Sequence, residues 1–112
     1  MQENDKAVLV YTTFPTPEAA ETVGGALVDQ GLAACVNIVA GMTSIYLWEG
    51  KRHRDAETVM LIKTRASLAE QVIAEVLERH SYDNPAAIVV PVEGGSSRFL
   101  AWVMTQTEGA GA

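Results

Sequence analysis

The sequence has little of what several protein classes require. A single cysteine, Cys35, excludes an internal disulfide within the 112 residues and favours a reducing compartment. Eight Lys and Arg stand against fourteen Asp and Glu, and this net charge of -6 disfavours nucleic acid and anionic lipid as partners. No apolar run approaches the roughly 20 residues that cross a bilayer, and the polar segment 1–6 is no secretory signal. We therefore expect a soluble, cytoplasmic protein.

Familiar catalytic and phosphate-binding motifs are also absent. The chain has no CxxC pair and no HExxH, GxSxG or P-loop sequence. The pair Gly94-Gly95 is too short to form a phosphate loop. We predict no catalytic residue and no organic cofactor, and expect a protein that is not an enzyme.

The apolar pattern predicts an α+β domain of strand-helix-strand-strand-helix-strand order. Unbroken apolar runs at Val8–Tyr11 and Val59–Ile62 predict strands buried on both faces. Thr16-Pro17 predicts the start of a helix that Gly31 ends. The segment Ser67–Glu70 predicts a capping box at the start of a second helix. The remaining predicted segments are β structure over 33–48, a strand over 57–64, a strand over 87–92 and a short helix over 97–107.

This order is that of the ferredoxin-like βαββαβ sandwich, with a short C-terminal helix added. In that fold the first and third strands are central, and the fourth, which carries Pro91, lies at an edge. We predict a single domain over residues 7–107, between a flexible N-terminus at 1–6 and a flexible C-terminal tail at 108–112.

The second β segment, Ala33–Trp48, is long for so small a domain. Extended at about 3.3 Å per residue it would span roughly 50 Å, whereas the radius of gyration should be near 13 Å. Two interpretations stay open: either Gly41 folds the segment into two short strands, or a long hairpin turning at Glu49-Gly50 overhangs the core and pairs with neighbouring subunits. The exposed apolar run Ile45–Trp48 favours the second, because monomers avoid such edges.

A few side chains are candidates for metal chemistry. Cys35 would favour Cu(I), zinc or another thiophilic ion, although a lone strand cysteine is as often a small buried hydrophobe. His80 ends the second helix and is followed by Tyr82 and Asp83, which together form a candidate ligand or acid-base cluster. The alternative for His80 is a half-buried histidine at a helix C-terminus. One cysteine per chain makes a site only with His or carboxylate groups, or across subunits.

Three blocks of the sequence, Ala33–Ile38, Thr43–Lys51 and Ile62–Arg65, resemble the divalent-cation tolerance protein CutA family. The similarity runs from about Val8 to Val103. The resemblance implies a ferredoxin-like subunit in a tight homotrimer held partly by the long hairpins. It also implies binding of copper or another divalent cation. A likeness of this trimer to PII-like proteins implies the alternative, a non-enzymatic small-molecule sensor or protein-interaction scaffold with its ligand in the clefts between subunits.

The resemblance carries over Cys35, His80 and Asp83 as the metal ligands. Cys35 matches the family cysteine, and His80 begins a segment that matches the family stretch His-Pro-Tyr-Glu-x-Pro-Glu. The chain departs from this stretch at Ser81, Asp83 and Ala86, where the family has Pro, Glu and Glu. Because Asp83 is shorter by one methylene and Ala86 removes a carboxylate, the resemblance implies a weaker metal site here.

Overall fold

A four-stranded antiparallel sheet with three α-helices makes up the described part of the chain, residues 5–110 of a computed structural model. This confirms the predicted α+β class. The elements are β1 (Ala7–Phe14), α1 (Pro17–Asp29), β2 (Cys35–Trp48), β3 (Lys51–Arg65), a 3-10 turn (Ala66–Leu68), α2 (Ala69–Arg79), β4 (Ala87–Pro91) and α3 (Ser97–Gln106).

The strand order across the sheet is β2-β3-β1-β4. The two strands with unbroken apolar runs, β1 and β3, are therefore central, which confirms that prediction. Pro91 is the last residue of the edge strand β4, where its missing N–H interrupts no ladder. The order of elements and strands agrees with the ferredoxin-like arrangement expected from the sequence.

One face of the sheet forms the main core. The register places Val10 opposite Ile62 and Thr12 opposite Met60, so these side chains share the face on which α1 and α2 pack. The helices fill it at helical spacing. The buried members of this core are Val10, Phe14, Ala20, Val23, Leu27, Leu32, Ala33, Met60, Ile62, Leu68, Val72 and Val76.

Helix α1 begins and ends where the sequence predicts. The Thr16 hydroxyl accepts a hydrogen bond from the Ala19 N–H at 3.1 Å, and Pro17 occupies the first helical position. Gly31, with a φ of 72°, takes the left-handed conformation that ends the helix.

The predicted capping box of α2 is wrong. Ser67 lies inside the 3-10 turn, and its hydroxyl donates to the Asp5 carboxylate at 2.5 Å instead of capping the helix. Leu68 is the N-cap of α2 and makes no side-chain cap bond. Asp5, assigned from the sequence to a flexible N-terminus, is held by this bond and by a 3.2 Å ion pair with Arg65. Residues 1–4 and 111–112 lie outside the described residues.

The β2–β3 hairpin is continuous. Glu49 and Gly50 have φ values of 51° and 78°, as a tight type I′ hairpin turn requires. The register between the two strands shifts between Val39 and Met42, so β2 has a bulge at Gly41. The two-short-strands interpretation is wrong, because β2 runs unbroken through that bulge.

The third strand starts earlier than predicted, at Lys51 instead of residue 57. Its first residues are polar and carry no strand pattern, but the tight turn pairs Trp48 with Lys51 and the ladder continues from there. The described part of the chain therefore measures 46 by 25 by 22 Å, as expected for a hairpin that overhangs the core.

The second face of the sheet is mostly uncovered. Helix α3 closes one end of it, where Val103 packs against Ala7 and Ala34. Beyond α3 this open face exposes apolar side chains such as Val39 and Ile88, which are 53% and 55% exposed. Among residues 5–110 there is no helix with the length and apolar character that spanning a membrane requires.

Candidate functional site

The three predicted metal ligands do not meet within one chain. Cys35 opens β2, half-buried on the open face, and pairs with Lys63. His80 contacts Thr13, which lies in the same cross-strand row as Val39. Cys35 lies four residues from Val39 along β2, which places it about 13 Å from the row of residues that His80 contacts. Within residues 5–110, no three His, Cys, Asp or Glu side chains are grouped so that they could hold a metal ion.

Both ring nitrogens of His80 are engaged. Nε2 lies 2.6 Å from the Thr13 carbonyl oxygen, and Nδ1 lies 3.1 Å from the Tyr82 backbone nitrogen. A carbonyl only accepts and a backbone N–H only donates, so Nε2 carries the proton and Nδ1 is the acceptor. The ring also stacks on Phe14, with centroids 4.5 Å apart. His80 thus matches the half-buried alternative, and coordination would require one nitrogen to leave its partner.

Tyr82 connects this loop to the base of the hairpin. Its hydroxyl donates to Glu57 Oε2 at 2.9 Å. Burial, together with that bond, raises the pKa of Tyr82 well above its ordinary value. The Tyr46 hydroxyl similarly donates to Asp55 Oδ2, and that hydrogen bond, followed by burial, raises the pKa of Tyr46. Both tyrosines therefore stay protonated donors at neutral pH and hold one oxygen of each carboxylate in place.

Between this loop and the hairpin lies a cavity of about 430 Å³, which we call the hairpin cleft. Strand alternation brings its hairpin wall together, because Met42 pairs with Glu57, Ser44 with Asp55, and Tyr46 with His53 on one face. The lining side chains that carry charge or an aromatic ring are Tyr46, Trp48, Asp55, Glu57, Tyr82 and Asp83. Ala86 lines the cleft as well, at the position where the family stretch has Glu.

Sequence reasoning included Asp83 and Tyr82 but missed Asp55, Glu57 and Tyr46. The signal for the missed residues was available in part. A two-residue turn at Glu49-Gly50 fixes the pairing of the hairpin, and alternation then places all three on one face.

Two further polar side chains have aromatic partners. The Lys63 Nζ lies 5.1 Å from the ring centroid of Phe99 on α3. The His53 ring stacks on Tyr46 with centroids 5.4 Å apart. These contacts place Lys63 beside Cys35 on the open face and His53 on the cleft side of the hairpin.

Comparison with known proteins adds the family. Residues 8–106 match the family model described as CutA1 divalent ion tolerance protein. That range is most of the chain and includes all of the sheet except Ala7, together with the hairpin and the hairpin cleft. The chain belongs to the CutA1 divalent ion tolerance family.

Individual CutA proteins from distant organisms agree with this assignment. The chain is 43% identical over 101 residues to "Protein CutA 1, chloroplastic" of Oryza sativa subsp. japonica, covering 90% of this chain and 57% of that protein. It is 38% identical over 99 residues to the divalent-cation tolerance protein CutA of Thermus thermophilus, covering 88% and 96%. The chain thus spans well under two thirds of the plant relative but nearly all of the bacterial one.

The solved structure of the periplasmic divalent cation tolerance protein CutA from Archaeoglobus fulgidus has the same fold. Its TM-score against this chain is 0.88 at 37% identity, covering 91% of this chain and 99% of the other. Cys35, His80 and Asp83 all fall within the range matched by the CutA1 model. The family description concerns divalent ions in general and specifies no metal.

Proposed function

We propose that this protein acts in divalent-cation tolerance by binding a divalent metal ion, with copper as the first candidate, as a non-enzymatic homotrimer. The observation that carries the proposal is the match of residues 8–106 to a family described by divalent ion tolerance. We place this function in the cytoplasm because the lone Cys35 suits a reducing compartment. The relatives from rice and Archaeoglobus, by contrast, are described as chloroplastic and periplasmic.

Exposed apolar surface supports assembly. The overhanging end of the hairpin exposes Leu47 at 73% and Trp48 at 48%, and the open face of the sheet adds Val39 and Ile88. Apolar surface spread over a sheet face and a hairpin in this way is typical of subunit interfaces. The number of subunits, three, comes from the resemblance to the family.

A site completed by assembly would reconcile the ligand proposal with the geometry of one chain. Cys35 lies half-buried on the open face and Asp83 lies exposed in the loop that follows α2. Both can therefore be approached by groups from a second copy. A thiolate with an imidazole or carboxylate suits copper or zinc. His80 joins such a site only if Nδ1 or Nε2 leaves its present partner.

Calorimetric titration of metal-free protein with copper and zinc tests the proposal, with the mass in solution followed by light scattering. We expect saturable binding at a fixed ratio per trimer, reduced by Cys35→Ser and by Asp83→Asn. His53→Ala is the matched control, since it removes the other histidine of the chain without touching the proposed ligands. Weak, non-stoichiometric binding that none of these variants changes would contradict metal binding as the function.

The hairpin cleft favours a second candidate function, a trimeric small-molecule sensor or protein-interaction scaffold. Ligand pockets typically have volumes of about 300–1,000 Å³ and mix aromatic walls with a few polar groups, and the cleft has both features. A screen of metabolites by thermal shift tests this candidate. Stabilisation by one chemical class would support it, and a screen in which no compound shifts the melting temperature would contradict the small-molecule version.

A further inference from the structure

The walls of the hairpin cleft carry charge of one sign. Three carboxylates, from Asp55, Glu57 and Asp83, line it, and no Lys or Arg is among its lining residues. Lys51 and His53 are the cross-strand partners of Trp48 and Tyr46 on this face, so they lie beside the outer end of the cleft, while Asp55 and Glu57 lie nearer the base of the hairpin. The cleft therefore repels anions and attracts cations.

Two of these carboxylates are fixed and still have an oxygen to offer. Tyr46 holds Asp55 through Oδ2, and Tyr82 holds Glu57 through Oε2. No hydrogen bond from residues 5–110 reaches the second oxygen of either group. Each carboxylate is thus oriented in advance, with one oxygen free to accept a hydrogen bond from a ligand.

The rest of the wall is aromatic. Tyr46, Trp48 and Tyr82 all line the same cavity. The rings of Trp and Tyr attract a cation placed over their faces, most strongly where water is partly excluded. A bare metal ion gains little from such walls, because aromatic carbon donates no lone pair. A cavity of about 430 Å³ also exceeds the space of a hydrated ion and matches that of a small organic ligand.

From this combination we propose that the hairpin cleft binds an organic ammonium cation. The ammonium group lies between the aromatic rings and the free carboxylate oxygens, and the ligand carbons lie against Trp48 and Tyr46. The proposal rests on the second candidate function, small-molecule sensing, and names the chemical class that the cleft selects. It is independent of Cys35, which lies at the far end of β2.

Calorimetric titration of the full chain with choline, putrescine and methylammonium tests the inference. The matched neutral probe is dimethylbutanol, the carbon isostere of choline. We expect saturable binding of at least one of the three cations. If choline is that cation, the affinity for dimethylbutanol should be lower than the affinity for choline by about tenfold or more. Equal binding of the isostere would overturn the cationic preference while leaving small-molecule sensing standing. Failure of all three cations to saturate the protein would overturn the inference itself.

Isosteric variants locate the binding. Asp55→Asn and Glu57→Gln should each weaken the best cation by about tenfold, since each removes one charge at contact distance. Glu21→Gln, on the exposed side of α1, is the control and should leave affinity unchanged. If both carboxylate variants retain wild-type affinity at unchanged molecular mass, the cation binds elsewhere and the inference fails.

One further variant separates the two proposals. Cys35→Ser is expected to reduce copper binding but to leave ammonium binding intact. If it abolishes both, the two ligands share one site and the cleft is no separate cation pocket. If copper binding is absent while choline or putrescine still saturates the protein, the metal proposal fails and the cleft proposal stands.

Discussion

Two adjacent glycines of α1, Gly24 and Gly25, should respond differently to the same substitution. A Cβ added at Gly24 would lie 2.8 Å from Val36 Cγ2 and 2.9 Å from the sulfur of Met60. A Cβ added at Gly25 would have nothing within 4 Å. Both positions are interior to the same helix, so the change in backbone propensity is the same at each.

The magnitude follows from two terms. Replacing an interior helical glycine by alanine gains about 1 kcal/mol of helix propensity. At Gly24 the added methyl also displaces Val36, which is stiff at χ1, and Met60, which is fully buried, and such overpacking costs about 1–3 kcal/mol. We expect Gly25→Ala to stabilise the protein by about 0.5–1 kcal/mol and Gly24→Ala to be less stable than Gly25→Ala by about 1–3 kcal/mol.

Urea denaturation at one fixed protein concentration measures the free energy of unfolding of each variant. Because the propensity gain is shared, the difference between the two variants isolates the steric cost. The double variant Gly24→Ala, Val36→Ala should recover part of that cost, since it opens space for the new methyl. Equal stability of Gly24→Ala and Gly25→Ala would show that α1 does not approach β2 and β3 as closely as the structure has it.

The remaining predictions concern the ion pair and the hairpin. Asp5→Asn should lower the free energy of unfolding by about 1–3 kcal/mol at neutral pH. It removes the charged partner of Arg65, whose side chain is only 8% exposed, and it weakens the hydrogen bonds from Ser67. Burial raises the pKa of Asp5, but hydrogen bonds from Ser67 and Arg65 outweigh it and the net pKa is lowered. The stabilisation that the ionised Asp5 carboxylate provides is therefore complete above its ordinary pKa of 3.8, and it is lost as pH falls from there through the lowered pKa. The unfolding curves of wild type and Asp5→Asn should consequently converge in acid. A difference that stays constant down to strong acid would contradict this. Trp48→Ala should lower the apparent mass in light scattering and make melting more dependent on concentration; an unchanged mass and melting temperature would show that Trp48 does not anchor an assembly.

The sheet was predictable because its signals are local and agree with one another. Continuous apolar runs in β1 and β3 predicted strands buried on both faces. The register does place both strands at the centre of the sheet, but their side chains on the open face are only half-buried. Thr16 and Gly31 marked the ends of α1 correctly, because a side-chain cap and a left-handed glycine act on the backbone next to them, and no tertiary contact displaced either. The overhang of the hairpin followed from the length of the second β segment together with the apolar run Ile45–Trp48.

The failures occurred where distant residues compete for a local group. Ser67 has the right type and spacing for a helix cap, but its hydroxyl instead donates a hydrogen bond to Asp5, 62 residues away in sequence. The early start of β3 at Lys51 depends on pairing with β2, and the strand propensity of this polar segment does not predict it. Glu57 meets Tyr82 across 25 residues of sequence, so the cleft exists only once the loop after α2 packs at the hairpin base.

His80 shows why the ligand set and the cleft must be tested with different variants. It joins the Thr13 carbonyl to the backbone N–H of Tyr82, and Tyr82 in turn holds Glu57 at the hairpin base. Removing the imidazole would therefore release Tyr82, and with it a wall of the cleft, whether or not the imidazole ever binds a metal. A loss of copper binding in His80→Ala is consequently ambiguous, because misplacement of Asp83 beside Tyr82 would produce it too. Cys35→Ser has no such connection to the loop, so that variant decides between a thiolate metal site and a cleft that serves another ligand.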